Sequence, residues 1–156
     1  MRLITLLLTL ATALTGTWPV GPPRPPVVRG WEPPASPYGP GHRGVDLAAA
    51  PGTPVRAAAA GRVTFAGPVA GRGVLTITHP SPSTGPPLRT SYEPVRPLVR
   101  AGAEVAEGQV VAVLTGARPH CAPTCLHWSL RRGDTYLNPL ALLPRRPSRL
   151  LPLNGP

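Results

Sequence analysis

Four histidines, two cysteines and six carboxylates hold the acid–base and metal-binding chemistry of this 156-residue chain. In GHRGVDLA, His42 and Asp46 stand four residues apart. Side chains of an extended backbone alternate between faces, so residues of equal parity project together and this pair can enter one groove. In TCLHWSL, Cys125 and His127 share a face by the same rule, and Trp128 points the opposite way, towards a core. Imidazole, carboxylate and thiolate are the ligand types of zinc, and a catalytic zinc site takes three from the protein and leaves a fourth position for water. Taken singly, each of these residues reads more readily as a polar group satisfied by hydrogen bonds than as a ligand. Glu93 is either a solvated charge or a base. Tyr92 either faces the groove and binds a carbonyl or packs. His120, in ARPHCAPTCLHW, is either a surface loop residue or, if Cys121 and Cys125 close a small ring, a group held near the groove. A Cys125 thiolate that bound metal would instead close the site. His79 ends a predicted strand ahead of Pro80 and reads as structural, and Asp134 after Gly133 reads as a turn residue.

Short strands must position these groups. Pro is 25 and Gly 17 of the residues, a density that opposes long helices because proline removes a backbone donor and clashes with the preceding turn. Apolar and β-branched runs bounded by turn residues predict strands over Gly44–Ala48, Pro54–Ala58, Gly61–Ala66, Gly73–His79, Arg89–Glu93, Gln109–Leu114 and Leu126–Arg131. VRAGAEVAEG, from Val99 to Gly108, reads as a turn-and-short-strand unit, and HPSPSTGPP from His79 as a loop. The Ala57–Ala60 run favours helix, but Pro54 and Gly61 close the window too tightly for one. The folded body is expected over residues 41–143 and mostly β, with no internal repeat.

The flanks differ in texture. MRLITLLLTLATALTG has an Arg start, a short apolar stretch and small residues for cleavage. Residues 1–16 therefore read as a secretory signal peptide, the apolar run being too short for a confident membrane span. An uncleaved anchor is the alternative, and no other segment has the length to cross a bilayer. Export suits the two cysteines, which an oxidising compartment would let pair. Residues 17–40 are too Pro-rich for a packed core and read as an extended lead-in that Trp31 and Tyr38 could dock. Residues 144–156 read as a loose Pro/Arg-rich tail. The net charge is +10, and all 16 basic residues are Arg. That charge favours an anionic partner, but the arginines are scattered and lack the aromatic-interleaved pattern of a nucleic-acid reader, so no nucleic acid is expected.

GHRGVDLAAAPGTPVRAAAAGRVTFAG resembles the opening block of the lysostaphin/LytM-type peptidoglycan peptidases, with His-x-Gly-x-Asp followed by Gly-Thr-Pro-Val. YEPVRPLVRAGAEVAEGQVVAVLTG resembles their middle block, and CLHWSLRRGDTYLNPLALL the closing block with its histidine strand and Asn-Pro. The resemblance covers about residues 41–143. It implies an all-β fold, a mainly antiparallel sheet or sandwich with a narrow groove, and a Zn2+ held by His42, Asp46 and His127. It also implies action on peptidoglycan peptides outside the cell; the net charge separately suits an anionic cell-wall polymer. Active members carry two further histidines, and here those slots fall on Pro94 and Cys125. Proline does no proton chemistry, and cysteine does so only as a free thiolate. His120 and Glu93 are the candidates to replace them. A degenerate relative that binds peptidoglycan, or regulates another hydrolase, is the competing reading.

Overall fold

The computed structural model describes residues 15–36, 38–81, 85–116 and 121–144. Eleven strands run along it: β1 (Val27–Arg29), β2 (Val45–Ala48), β3 (Pro54–Arg56), β4 (Gly61–Val69), β5 (Arg72–Thr78), β6 (Leu88–Glu93), β7 (Val95–Pro97), β8 (Glu104–Val105), β9 (Val110–Leu114), β10 (Cys125–Arg132) and β11 (Thr135–Leu137). One 3-10 turn, Pro139–Leu142, follows Asn138, whose side chain accepts from the Leu140 N–H. All seven predicted strands are present with small shifts at their ends, and the fold is all-β as expected. The larger sheet runs β1-β2-β10-β6-β5-β4-β8, with β11 beside β10, and the smaller runs β3-β9-β7. Every pairing is antiparallel.

Parity divides the large sheet into a core face and a groove face. On β10, Leu126, Trp128 and Leu130 turn inward to meet Val45, Leu47, Leu75, Ile77 and Tyr92, and Val55, Val95, Val111 and Leu114 of the small sheet complete the cluster. His127, Ser129 and Arg131 face the other way, in line with Ser91, Glu93 and Arg89 of β6 around a groove of about 730 Å3. A β-bulge in β4 between Val63 and Phe65 adds one residue to that strand, and Thr64 and Phe65 both line the groove wall.

The lead-in packs onto the body. Residues from Gly16 onward lie on the domain: Gly16 N–H donates to the Leu142 carbonyl at 2.6 Å and Thr17 N–H to that of Ala58 at 2.7 Å. Val20 is a core residue, and Trp18, Val27 and Trp31 pack against the cluster, while Tyr38 is exposed. The proline content misleads because proline lacks only the donor; its carbonyl still accepts. Arg56 N–H donates to Pro19 and Ala48 N–H to Pro26. β1 then pairs with β2, placing Arg29 opposite Asp46. Residues 1–14, most of the expected signal peptide, and residues 145–156 of the expected tail lie outside the described residues. Among the described residues no helix is long and apolar enough to cross a membrane.

Behind the groove, His79 performs the structural task expected of it. Its Nδ1–H donates to the Ala60 carbonyl at 2.9 Å, leaving Nε2 to accept from the Thr90 hydroxyl at 2.8 Å. Thr90 in turn accepts from the Tyr92 hydroxyl, which itself accepts from the Ala58 N–H. Burial holds the His79 pKa below its ordinary value, against the opposing pull of the Ala60 hydrogen bond. The unfolded chain therefore takes up a proton near pH 6.5 that the folded chain refuses. This contribution to stability is full above that pH and is lost as the pH falls below it. The Tm of the wild type should fall more steeply below about pH 6.5 than that of His79→Gln, with His42 and His127 common to both proteins. Equal slopes in thermal melts across pH would refute this.

Candidate metal centre

The centre forms where β2 and β10 lie side by side. Asp46 and His127 are direct cross-strand partners, and His42 approaches from the turn ahead of β2. The three are 1%, 8% and 2% exposed, in that order. Asp46 Oδ1 lies 2.8 Å from His127 Nδ1 and 3.2 Å from His42 Nε2, and the two ring nitrogens are 3.1 Å apart. The donor atoms around a tetrahedral zinc, with bonds of about 2.0–2.1 Å, stand roughly 3.3 Å apart. The observed edges of 2.8, 3.1 and 3.2 Å are within about half an ångström of that, and the donors are two imidazoles and one carboxylate, ligand types that zinc takes. The set fits a metal ion.

Two backbone features hold the triangle. The His42 Nδ1–H donates to the Gly30 carbonyl at 2.6 Å, which fixes the tautomer and turns the Nε2 lone pair towards Asp46 and His127. Such outer contacts orient imidazole ligands and raise their basicity. Nothing in the sequence marked Gly30, because the acting group is a carbonyl that every residue carries. Gly44 explains the middle of the His-x-Gly-x-Asp motif. A Cβ there would lie 2.5 Å from the Trp128 oxygen and 2.7 and 2.8 Å from ring atoms of His127. The position is occupied by the imidazole, so only glycine leaves room for it.

The remaining candidates separate cleanly. Glu93 on β6 is the direct partner of His127 on the side away from Asp46, so Asp46, His127 and Glu93 form one row across three strands. Its carboxylate lines the groove and pairs with Arg72 at 3.4 Å. Tyr92 is not a groove residue: it is fully buried on the core face, and burial pushes its hydroxyl pKa up to about 12. Parity forbids the groove to Tyr92 once its neighbour Glu93 takes it. Pro94 is buried. Cys121 and Cys125 are joined in a disulfide with their Cα atoms 5.9 Å apart, which withholds Cys125 from proton transfer and from the metal even though it lies beside Asp46. His120 lies outside the described residues. Another hollow, of about 560 Å3 beneath the lead-in, is lined by Trp18, Arg24 and Leu140 among others and by no acid, histidine or cysteine.

The chain is similar to known proteins. The family model described as Peptidase family M23 matches residues 40–139. An uncharacterized protein of Mycobacterium tuberculosis is 46% identical over 143 residues, which cover 88% of this chain and 55% of that protein. The chain thus spans about half the length of the curated relatives it matches. Among solved structures, Helicobacter pylori Csd3 superposes with a TM-score of 0.67 at 25% identity, covering 88% of this chain and 37% of that one. The catalytic domain of the antimicrobial peptidase lysostaphin from Staphylococcus simulans gives 0.60 at 20% identity over 75% of this chain and 90% of its own. With the histidine–aspartate triangle lying inside the matched span, the chain belongs to peptidase family M23.

Proposed function

We propose that this chain is an exported zinc metalloendopeptidase that cleaves peptide bonds in peptidoglycan. The observation that carries the reading is the convergence of His42 Nε2, Asp46 Oδ1 and His127 Nδ1 within 3.2 Å of one another beside a groove able to take an extended strand. Zinc, when bound, supplies Lewis acidity that lowers the pKa of a water and polarises a carbonyl. The protein supplies the rest. Gly30 and Gly44 keep the two imidazoles in place. Glu93, beside His127 and open to the groove, accepts and returns the proton. Ser91 and Ser129, next along the same two strands, offer hydroxyls to the backbone of a peptide lying in the groove. The apolar stretch that ends in the small residues Ala11-Thr12-Ala13 acts as the export leader, and the cysteine pair suits an oxidising compartment.

A second reading is favoured by the disulfide at Cys125 and the burial of Pro94. With both family histidines replaced, the domain would grip peptidoglycan or regulate a partner hydrolase. One assay separates the two. The oxidised, zinc-loaded chain should release new amino groups from insoluble peptidoglycan. Chelation should abolish the release, zinc should restore it, and His42→Ala should lack it throughout. Retention on peptidoglycan with metal bound and no release would establish the second reading instead.

A further inference from the structure

We infer that the groove holds a carboxylate-binding subsite made by Arg89 and Arg131, and that the peptide it takes is anionic. This rests on the peptidase reading and names the class of substrate. Arg89 on β6 and Arg131 on β10 are direct cross-strand partners and both line the groove. Like charges placed directly opposite one another destabilise a sheet unless something neutralises them. Here nothing in the chain does: among the described residues neither guanidinium has an ion pair, and the one groove acid on these strands, Glu93, is held by Arg72.

Neutral groups hold both arginines instead. Arg89 Nη2–H donates to the Gly133 carbonyl at 3.2 Å, and the Arg131 guanidinium lies 5.8 Å from the centre of the Tyr136 ring. The buried Arg89 Nε has no partner among the described residues. Two planar forks, restrained in place and carrying unused donors, form a site suited to a carboxylate's paired oxygens. Position adds a ruler. Three successive rows on the groove face read His127–Glu93, Ser129–Ser91 and Arg131–Arg89. The arginine row is four residues along β10 from His127, about 13 Å at roughly 3.3 Å per residue. An extended peptide with its reacting bond at the metal centre places there a carboxylate three to four residues away. That group is either an acidic side chain or the chain's own terminus.

Three glycine–alanine pentapeptides distinguish these sources: one with a free C-terminus, one C-terminally amidated with a single internal glutamate, and one amidated without acid. Their binding to the zinc-loaded full chain is measured by calorimetry at fixed salt. At least one of the acidic peptides should bind about tenfold or more tightly than the neutral one, and the one that does identifies the source. Arg89→Gln/Arg131→Gln should erase the preference, while Arg96→Gln/Arg100→Gln, with the same loss of charge on exposed residues elsewhere, should keep it. Equal affinity of the wild type for all three peptides, or no measurable binding, overturns the inference without any variant. So does equal loss in both double variants. Amino-group release from peptidoglycan is scored separately, so a protein that cleaves without preferring carboxylates refutes the subsite alone.

Discussion

Gly44→Ala should weaken zinc binding about a hundredfold, on the scale of losing the support of a metal ligand, while leaving the sheet intact. The added methyl has two neighbours, the Trp128 carbonyl at 2.5 Å and the His127 ring at 2.7–2.8 Å. The carbonyl is fixed, because Trp128 pairs with Val45 across the β2–β10 ladder and its indole is fully buried. The imidazole is the freer neighbour and must retreat. Its Nδ1 is one corner of a triangle whose edges are only 2.8–3.2 Å, so any retreat opens the corner. Overpacking of this kind costs roughly 1–3 kcal/mol in the fold itself, enough to lower Tm by several degrees and not enough to unfold the chain. Competition titration against a chromophoric chelator measures the affinity, and far-UV circular dichroism checks the sheet. Wild-type affinity in a folded Gly44→Ala protein would show that the ring does not need this space.

Glu93→Gln should cut turnover on peptidoglycan by about 10²–10⁴-fold, the usual contribution of a placed acid–base group, with zinc content unchanged. The two parts of that expectation come from separate facts. Glu93 is not in the donor triangle, so metal retention does not depend on it. It is the direct partner of His127 on the groove face, the only carboxylate there apart from Asp46 among the described residues. Glutamine keeps the shape and the capacity to accept from Arg72, and loses the capacity to take a proton. Full activity in Glu93→Gln together with inactivity in His120→Ala would move the proton-transfer role to His120.

How far the site could be read in advance depended on what kind of group did the work. His42, Asp46 and His127 were legible because side-chain type, parity and the three blocks of motif all concern what a sequence spells out. The long alternating strands β4, β5, β6, β9 and β10 were legible for the same reason. β1, β7 and β11 were missed, being three residues each, too short for a period to show. The role of the lead-in was hidden by its prolines, whose surviving carbonyls carry the contacts at Pro19 and Pro26. Gly30 was hidden more deeply, since a backbone carbonyl has no residue-type signature. Tyr92 was left open between groove and core although the means to place it were present: it and Glu93 are neighbours on one strand, and one groove cannot receive both. The Arg89–Arg131 opposition needed the register of β6 against β10, which spacing along the chain does not give.

The position of β10 has a consequence for how the domain comes into being. It is among the last strands in the sequence and lies near the middle of the larger sheet, between β2 and β6. Until it arrives, β2 has only the three-residue β1 as a neighbour, and a two-stranded ribbon is marginal in water. His42 and Asp46 then sit on a structure that cannot hold them, and His127 is absent. Insertion of one strand joins the two halves of the sheet, buries Trp128 and closes the donor triangle at the same moment. A chain still being synthesised therefore has no closed donor triangle to hold a metal; the site arrives only with the finished fold.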